Sequence, residues 1–295
     1  MIKRTIEISG DGNHLSVSMG SLIVRKGEQV IGQVPLEDVA LLILDSFTTT
    51  YTHSVIAEVL AAGAAIIPCG KNHHPCALFL PQENTLQTQR LIRQAQAPLP
   101  LRKGLWKQVV QAKIANQAGV LEEDAPPQRM LRNLVPQVRS GDPANVEAQA
   151  ARIYWQALFA DKGFRRSPEG NPPNNMLNYG YMVLRAAVAR AVCGAGLHPS
   201  LGLHHHNRSN SFCLADDLLE PLRPLVDRKV RALWSAGRDE IDRDVKTELL
   251  TLLTAEIQVA GEKGPLLVGL ERMTASLVRC YQREQKKLDL PKLWN

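Results

Sequence analysis

Three consecutive histidines and a group of acidic residues stand close together in segment 201–224, which reads LGLHHHNRSNSFCLADDLLEPLRP. Imidazole and carboxylate groups together make a mixed nitrogen and oxygen ligand set, which suits Mn²⁺ or Mg²⁺ better than the thiolates of a structural zinc site do. Because successive side chains point in different directions, the three histidines cannot all serve one site. We therefore expect one of them to coordinate a metal ion, and His204 and His206 to face elsewhere.

The acidic residues of this segment can share one face of a helix. Asp217 lies three residues before Glu220, and Asp216 lies four residues before it; both spacings place side chains on the same side of a helix. Pro221 would clash with the carbonyl of Asp217 in a regular helix. The sequence therefore predicts that the chain bends, or begins its helix, near Glu220 and presents carboxylates into a cleft.

Another carboxylate stands on a helix predicted from GDPANVEAQAARIYWQALF, with Asp142 as its N-cap and Pro143 at its first position. Glu147 lies at the edge of the apolar stripe of this helix, beside Ala150, so we expect it to point toward a packed surface. A carboxylate buried there needs a cation or a metal ion. Alternatively, Glu147 is half exposed and pairs with a neighbouring arginine such as Arg152.

The distribution of charge indicates what a metal ion here would act on. Residues 1–85 contain five Lys and Arg against eight Asp and Glu, a net charge of −3, whereas residues 86–295 contain 30 against 21, a net charge of +9. A basic surface holds a nucleic-acid backbone by releasing counterions, although it can also be merely solvated. A metal ion beside it can neutralise a phosphodiester and activate an attacking oxygen. The residues by themselves thus favour metal-dependent phosphodiester chemistry on nucleic acid.

The cysteines and the N-terminus bear on the cellular compartment. Five cysteines is an odd number, and their scatter argues against a disulfide framework and for a reducing cytoplasm. There is no run of about 18 apolar residues to predict a transmembrane helix, and the N-terminus alternates like a strand rather than like a signal peptide. The segment CGKNHHPC, residues 69–76, has zinc-binding residue types. One compact loop would have to supply every ligand, however, so we interpret it as a strand-connecting loop without zinc.

The hydrophobic pattern changes from β to α near residue 82. This change predicts an α+β fold, with a small N-terminal β-rich domain at 1–82 followed by a larger all-α domain at 83–295. The longest loop predicted in the second domain, 165–175, is basic. The predicted strands are 4–8, 14–19, 21–24, 29–33, 39–44, 64–68 and 77–80. The predicted helices are 52–62, 86–95, 101–119, 128–139, 143–161, 177–194, a bent one at 215–233, 243–258 and 266–287.

Three segments together resemble one known family. They read GDPANVEAQAARIYW, NMLNYGYMVLRAAVARAV and LGLHHHNRSNSFCLADDLLEPLRPLVD, in this order and spacing. They resemble the universal CRISPR-associated endonuclease, the first-numbered Cas protein, which is the integrase of CRISPR adaptation. The resemblance covers essentially the whole chain, and it is closest to the form found in type II systems.

The resemblance implies a metal site. In that family a glutamate on a helix, a histidine and a second acidic residue bind Mn²⁺ or Mg²⁺, and these positions correspond to Glu147, His205 and Glu220. The three residues would be both metal-binding and catalytic, although many relatives have aspartate where Glu220 stands. Asp217 corresponds to a neighbouring acid, which we interpret as supporting a ligand or as an alternate ligand. The residues expected to contact DNA are Arg165, Arg166, Asn178, Tyr179 and Arg223, with an ion pair to Glu220 or Asp227 as the alternative for Arg223.

The resemblance also implies partners and a reaction. Each 3′-hydroxyl of a short DNA fragment would attack a phosphodiester at the end of a CRISPR repeat, which is spacer acquisition by transesterification. The expected partners are double-stranded and branched DNA, a second copy of the chain bound through the β-rich domain, and a small ferredoxin-fold protein, the second-numbered Cas protein. We expect no membrane partner and a cytoplasmic location in a prokaryote.

Two other functions share some of these features. A metal-dependent phosphoesterase of small substrates would use the same site but needs no long basic surface, so salt-sensitive DNA binding would distinguish the two. A non-catalytic DNA-binding scaffold would leave the histidines and acids as surface polar groups. The predicted position of Glu147 beside alanines argues against that scaffold.

Overall fold

The structure is a computed structural model, and it describes residues 3–71, 73–81, 86–159, 164–167 and 170–294. The N-terminal part is rich in strands and the C-terminal part is mostly helical, which confirms the predicted α+β class. The predicted domain boundary at residues 82 and 83 lies outside the described residues. The division into 1–82 and 83–295 therefore stays a prediction.

The N-terminal part contains two sheets, one α-helix and one short 3₁₀ turn in its described residues. In chain order its elements are β1 Arg4–Ser9, β2 Asn13–Ser18, β3 Ser21–Lys26, β4 Gln29–Pro35, β5 Val39–Asp45, β6 Thr50–Tyr51, α1 His53–Ala61 and β7 Ala65–Pro68. A parallel three-stranded sheet has the order β1-β5-β7, and a four-stranded sheet has the order β4-β3-β2-β6. The short strand β6 is absent from the predicted elements.

The predicted strand at 77–80 is wrong. Its backbone makes one antiparallel bridge, between Phe79 and Ile66. The next hydrogen-bonded residue pairs on either side of this bridge would involve Pro68 and Pro81, and neither proline has an N–H group to extend the ladder. The segment therefore remains irregular despite its apolar sequence.

The strand β5 is buried on both of its faces, as its continuous apolar run predicts. Leu41 and Ile43 belong to a core that the sheet shares with the helical part. Val39 and Leu42 belong to a second core, which the sheet shares with α1 and the four-stranded sheet. The three-stranded sheet is therefore the layer against which the helices pack.

The C-terminal part consists mainly of helices joined by short connections. Its elements are α2 Gln87–Ala95, α3 Leu99–Ala118, α4 Pro126–Leu134, α5 Val146–Leu158, α6 Asn174–Gly194, α7 Cys213–Leu219, a 3₁₀ turn Glu220–Leu222, α8 Arg223–Ser235, α9 Arg243–Leu250, β8 Glu256–Val259, β9 Glu262–Pro265 and α10 Leu266–Tyr281. The strands β8 and β9 form an antiparallel hairpin, so this part is not entirely helical.

The helix predicted at 243–258 is wrong in its last turns, because α9 ends at Leu250 and the chain enters the hairpin. Ala260 and Gly261 both have positive φ, at 55° and 85°. Two such residues form the tight turn that suits the twist of a two-residue hairpin. The dipeptide Ala-Gly is a weak turn signal, which is why the helical pattern of the preceding residues dominates the prediction.

Charged contacts join the two parts of the fold. The ammonium of Lys246 on α9 lies 2.6 Å from a carboxylate oxygen of Asp45 at the end of β5, and both side chains are buried. Arg190 on α6 donates a hydrogen bond of 2.8 Å to the carbonyl of Gly63. Within the residues that the structure describes, no helix has both the length and the apolar character that crossing a membrane requires.

Candidate active site

Two of the predicted ligands meet around a lysine. The Nζ atom of Lys113 on α3 lies 2.6 Å from Oε1 of Glu147 and 2.5 Å from Oε2 of Glu220. The Lys113 side chain is 11% exposed, and the side chains of Glu147 and Glu220 are 24% and 7% exposed. The structure thus brings together two acids from distant segments and places one positive charge between them.

Glu147 is presented from the first turn of α5. This helix begins at Val146 rather than at Pro143, because Asn145 adopts a left-handed conformation with φ of 50°. Asp142 still supplies the cap, since its carboxylate accepts hydrogen bonds from the backbone N–H groups of Val146 and Glu147, at 2.9 and 3.0 Å. The cation that pairs with Glu147 is Lys113, from another helix. Arg152, the partner that the sequence offered as an alternative, is exposed.

Glu220 lies at a bend in the chain. The helix α7 ends at Leu219, and the 3₁₀ turn that follows contains Pro221, so the predicted bend is confirmed. The Nε atom of Arg223 donates a hydrogen bond of 2.9 Å to Oε1 of Glu220. Burial by itself would raise the pKa of Glu220, but the charges of Arg223 and Lys113 hold that pKa at about 2. Glu220 is therefore ionised at any pH near neutrality.

His205 is oriented by Asp217. Its Nδ1 atom lies 2.6 Å from Oδ1 of Asp217, whose side chain is completely buried. The same carboxylate accepts hydrogen bonds from the backbone N–H groups of Leu203 and His204, at 2.6 and 3.0 Å. An ionised carboxylate can only accept, so in the neutral form of His205 the proton is on Nδ1 and Nε2 keeps its lone pair. The hydrogen bond to Asp217 raises the pKa of His205, although burial acts in the opposite direction.

The three histidines have three different surroundings. The ring of His204 stacks on the buried ring of Trp106, with centroids 4.4 Å apart and an angle of 4° between the planes. The ring of His206 lies 2.8 Å from the backbone carbonyl of His204. Only His205 of the three faces Asp217, which agrees with the expectation that consecutive side chains diverge.

A buried carboxylate lies behind the site. Asp227 on α8 accepts a hydrogen bond of 2.9 Å from the hydroxyl of Tyr154 and a further hydrogen bond from the hydroxyl of Tyr181. Burial raises the pKa of Asp227 to about 7, although both hydroxyl donors act against that rise. The guanidinium of Arg223 lies 4.6 Å from the ring centroid of Tyr181. Arg223 thus contacts both Glu220 and a tyrosine of this buried network.

Among the residues that the structure describes, no three His, Cys, Asp or Glu side chains converge closely enough to enclose a metal ion. Glu147 and Glu220 instead share the ammonium of Lys113, and His205 is hydrogen-bonded to Asp217. The Oε2 atom of Glu220 is buried and, within the described part of the chain, accepts no hydrogen bond of good geometry. Two carboxylates and an imidazole with its lone pair available are nevertheless donors that suit Mn²⁺ or Mg²⁺.

Asp216 does not contribute to this group of ligands. Its carboxylate binds the guanidinium of Arg185 through two hydrogen bonds, of 2.7 and 2.9 Å. It also accepts a hydrogen bond of 2.7 Å from the side chain of Asn210. Of the two aspartates that sequence spacing allows on the face of Glu220, Asp217 is the one beside His205.

The residues expected to contact DNA differ in their accessibility. Arg165 is exposed, whereas Arg166 is half buried and donates hydrogen bonds to the side chains of Asn174 and Asn178, at 3.1 and 2.7 Å. Tyr179 is only 1% exposed, so its ring offers no surface to a DNA backbone in this structure. Arg223, half buried, makes the ion pair with Glu220 that is its alternative role.

Two side chains of the loop at 69–76 have polar partners among the described residues. His73 lies 2.9 Å from Asp45, and the exposed Cys76 donates a hydrogen bond from its thiol to the carbonyl of Pro68. Burial raises the pKa of Cys69 to about 12, which disfavours the thiolate that zinc binds. All five cysteines of the chain are unbridged, which agrees with the expectation from their number.

A C-terminal strap, residues 288–294, supports the bend at Glu220. The side-chain amide of Asn116 on α3 donates hydrogen bonds to the carbonyls of Pro221 and Pro291, at 2.8 and 3.0 Å. The indole N–H of Trp294 donates a hydrogen bond of 2.8 Å to the backbone carbonyl of Asn116. The sequence analysis identified neither this strap nor Lys113 and Trp106, and it named Asp227 only as a possible ion-pair partner of Arg223. A charged or amide side chain on the buried face of a helix is the signal that could have found Lys113 and Asn116.

The chain is similar to known proteins over nearly all of its length. Residues 6–256 match the family model described as CRISPR associated protein Cas1. The CRISPR-associated endonuclease Cas1 of Neisseria meningitidis serogroup C is 37% identical over 96% of this chain and 94% of its own. The CRISPR-associated endonuclease Cas1 2 of Saccharolobus solfataricus is 28% identical over 80% of this chain and 77% of its own.

Solved structures share the fold. A casposase bound to integration product superimposes with a TM-score of 0.79 at 21% identity, covering 98% of this chain and 93% of its own. A Cas6-RT-Cas1–Cas2 complex contains a chain that superimposes with a TM-score of 0.77 at 18% identity, covering 99% of this chain and 36% of its own. With the match of the family model over most of the sequence, these similarities lead to one conclusion. The chain belongs to the Cas1 family of CRISPR-associated proteins.

Proposed function

We propose that this protein is a divalent-metal-dependent DNA endonuclease and integrase, which joins the 3′-hydroxyl ends of short DNA fragments to a CRISPR repeat by transesterification. The observation that carries the proposal is the pairing of Glu147 and Glu220 around one positive charge, together with the imidazole of His205, which Asp217 orients and on which both glutamates act electrostatically. The name of the Neisseria relative, an endonuclease, and that of the structural neighbour, a casposase with its integration product, support the same reaction class.

The three proposed ligands would have separate tasks. Glu147 and Glu220 would bind Mn²⁺ or Mg²⁺ through their carboxylates, and His205 would bind through Nε2 while Asp217 holds its ring. When bound, the metal ion supplies charge neutralisation at a phosphodiester and at the oxygen that leaves it. Arg223 would keep Glu220 ionised and in place, which is the effect of its hydrogen bond here.

The reaction exchanges one phosphodiester bond for another. The 3′-oxygen of the incoming fragment forms a bond to a phosphorus atom of the repeat, and that phosphorus releases the 3′-oxygen of the neighbouring nucleotide. The attacking hydroxyl loses its proton, and the departing oxygen gains one. No net hydrolysis occurs, so the reaction needs no co-reactant besides the two DNA partners. Attack by water at the same phosphorus would give the endonuclease activity.

The charge of the helical part supports DNA as the substrate. Residues 86–295 have a net charge of +9, and the exposed Arg165 lies just before the helix that contains Asn178. Lysine and arginine side chains in such positions neutralise phosphates without reading the bases. A phosphoesterase of small substrates would gain nothing from a long basic surface.

We also propose a homodimer formed through the N-terminal part. Six large apolar side chains in the described N-terminal part are exposed, among them Met19, Val30, Ile31 and Phe47, at 100%, 49%, 53% and 67%. Val30 and Ile31 lie on β4, an edge strand of the four-stranded sheet. Exposed apolar side chains on an edge strand favour pairing with another chain.

The small ferredoxin-fold second-numbered Cas protein, Cas2, is the proposed hetero-partner. A structural neighbour that is a complex containing Cas1 and Cas2 supports this proposal.

A strand-transfer assay tests the function. Purified protein and Cas2 are mixed with a short labelled DNA duplex and a supercoiled plasmid that contains a CRISPR repeat, with Mn²⁺ or with a chelator. We expect label to join the plasmid with Mn²⁺ and not with the chelator. A generic phosphate monoester is the control substrate. Hydrolysis of the monoester without joining of DNA would favour the small-substrate phosphoesterase.

A further inference from the structure

The position of Lys113 is unusual for a lysine. Its helix α3 buries a stripe that includes Trp106, Val109, Val110 and Ile114, and Lys113 lies within that stripe. A buried ammonium loses its hydration, so a lysine at such a position needs compensating partners. Two carboxylates compensate it here, because Glu147 and Glu220 both lie within ion-pair distance of the Lys113 Nζ atom. The side chain is therefore a buried cation rather than a neutral amine.

The ammonium lies where an ion shared by the two carboxylates would lie. Its Nζ atom is 2.6 Å from Glu147 and 2.5 Å from Glu220. A small divalent ion needs carboxylate oxygens at about 2.0–2.1 Å, so it would have to enter the same space. If Glu147 and Glu220 together held a metal ion, the ion and the Lys113 ammonium could therefore not be present there at the same time.

We propose that Lys113 is a positioning residue that holds the place of the metal ion between Glu147 and Glu220 in the metal-free protein and withdraws when the ion binds. This inference rests on the proposed metal centre. Without a cation, two ionised carboxylates at this separation would repel each other and move apart. With Lys113 between them, the ligands remain close together before the metal arrives.

We call this replacement of the Lys113 ammonium by the metal ion the exchange. It has a measurable consequence, because the metal ion has to compete with the ammonium. Removing the ammonium should make Mn²⁺ bind more tightly while it destabilises the metal-free protein. Replacing it by a guanidinium, which can bind a carboxylate through two hydrogen bonds, should make Mn²⁺ bind more weakly. A residue with a purely structural role would not change metal affinity in opposite directions in these two variants.

The experiment measures Mn²⁺ affinity by electron paramagnetic resonance and the unfolding midpoint with and without Mn²⁺. The variants are Lys113→Met, which keeps much of the side-chain length, and Lys113→Arg. Lys107→Met makes the same chemical change six residues earlier on α3 and is the matched control. We expect about tenfold tighter binding in Lys113→Met, or about 1.4 kcal/mol. In chelator, the unfolding midpoint of Lys113→Met should be lower than that of the unmodified protein. When Mn²⁺ is added, its midpoint should rise by more than that of the unmodified protein does.

The possible outcomes distinguish a failure of this inference from a failure of the proposed metal centre on which it rests. Glu147→Gln should abolish Mn²⁺ binding to the otherwise unmodified protein. If it does, and Lys113→Met binds Mn²⁺ no more tightly than the unmodified protein, the exchange is overturned and the metal centre stands. If Mn²⁺ binding does not depend on Glu147, both are overturned. If Lys113→Met does not fold, Lys113→Arg decides, and binding as tight as in the unmodified protein overturns the exchange.

Discussion

The side-chain amide of Asn116 donates a hydrogen bond of 2.8 Å to the carbonyl of Pro221, the residue that follows Glu220. A second hydrogen bond from the same amide reaches Pro291 in the C-terminal strap. One buried side chain thus connects α3, the bend that presents Glu220, and the end of the described chain. The position of a proposed metal ligand therefore depends on how the strap docks.

The docking of the strap is tested at Gly119, where φ is −70° and alanine fits the backbone. A Cβ atom there would lie 2.1 Å from Cδ1 of Trp294, so the indole must move. We expect Gly119→Ala to lower the free energy of unfolding by about 1–3 kcal/mol, as forced displacement of a packed side chain does. DNA joining should fall as well, since Asn116 loses the support of the strap.

Two controls isolate this effect. Gly104→Ala, on the same helix, adds a Cβ atom that meets nothing within 4 Å and should stabilise the protein by up to about 1 kcal/mol rather than destabilise it. In a protein that already has Trp294→Ala, the change Gly119→Ala should cost little, because the clashing ring is absent. Chemical denaturation of the unmodified protein, Gly119→Ala, Trp294→Ala and the double variant gives the coupling free energy between the two positions. If the losses of stability in the two single variants simply add in the double variant, a clash with Trp294 is not the reason why residue 119 is glycine.

The histidine row predicts unequal losses. His205→Ala should abolish Mn²⁺-dependent joining because it removes the imidazole that Asp217 orients. His204→Ala should retain most activity and lose about 0.5–1.5 kcal/mol of stability, since it removes the stacking on Trp106. Joining rates and unfolding curves of the two variants provide the comparison. Equal loss of activity at both positions would show that His204 also serves the reaction.

The buried Asp227 predicts a dependence of stability on pH. Its pKa is about 7 in the folded protein, against an ordinary value of 3.8. Between these values the folded protein binds the extra proton, so the stability contributed by this carboxyl is complete below pH 3.8 and is lost as the pH rises through 7. Asp227→Asn removes the titration. The free energy of unfolding of the unmodified protein, relative to that of Asp227→Asn, should therefore fall by on the order of 2–3 kcal/mol between pH 5 and pH 8.

Denaturant titrations of both proteins at several pH values measure this difference. Tyr154→Phe is a useful comparison, because it removes one hydroxyl donor to Asp227 and should raise the carboxyl's pKa further. A difference between the unmodified protein and Asp227→Asn that stays constant from pH 5 to pH 8 would contradict a raised pKa at this position.

The DNA path is tested at Arg165, which is exposed, rather than at Arg166, whose hydrogen bonds to Asn174 and Asn178 make it part of the fold. Arg165→Ala should weaken binding to branched DNA. It should also lower the slope of log affinity against log salt by about 0.7–0.9, the value for one lost phosphate contact. Arg4→Ala, an exposed arginine on β1 of the acidic N-terminal part, is the control. If affinity and slope are both unchanged in Arg165→Ala, the DNA lies elsewhere on the helical part.

Features that depend on local sequence were predictable. The bend at Glu220 follows from the steric effect of Pro221 on its own helix, and the burial of β5 follows from its continuous apolar run. The capping of α5 by Asp142 was also predictable, although the helix begins later than expected. Each of these depends on residues within one or two turns of one another.

Features that depend on packing between distant segments were not predictable in this way. Lys113 is 34 residues from Glu147 in the chain, and Asn116 is 105 residues from Pro221. Their partners are set by how α3 packs against α5 and the 3₁₀ turn, which no periodicity encodes. The β8–β9 hairpin was missed for a different reason, since its turn residues Ala260 and Gly261 give only a weak local signal.

The central claim is that Glu147 binds the metal ion on which DNA joining depends, and a single neutral substitution tests it most directly. Glu147→Gln keeps the size of the side chain and an oxygen to accept from Lys113, so the fold should persist. Glu123→Gln, at an exposed position before α4, is the matched control. The measurement is the joining of a labelled 3′-hydroxyl DNA end to a repeat-containing plasmid, with Cas2 and Mn²⁺. We predict loss of at least about 99% of joining in Glu147→Gln, the scale of a catalytic group worth about 10²-fold or more, and normal joining in Glu123→Gln. Normal joining by a folded Glu147→Gln protein would contradict the account.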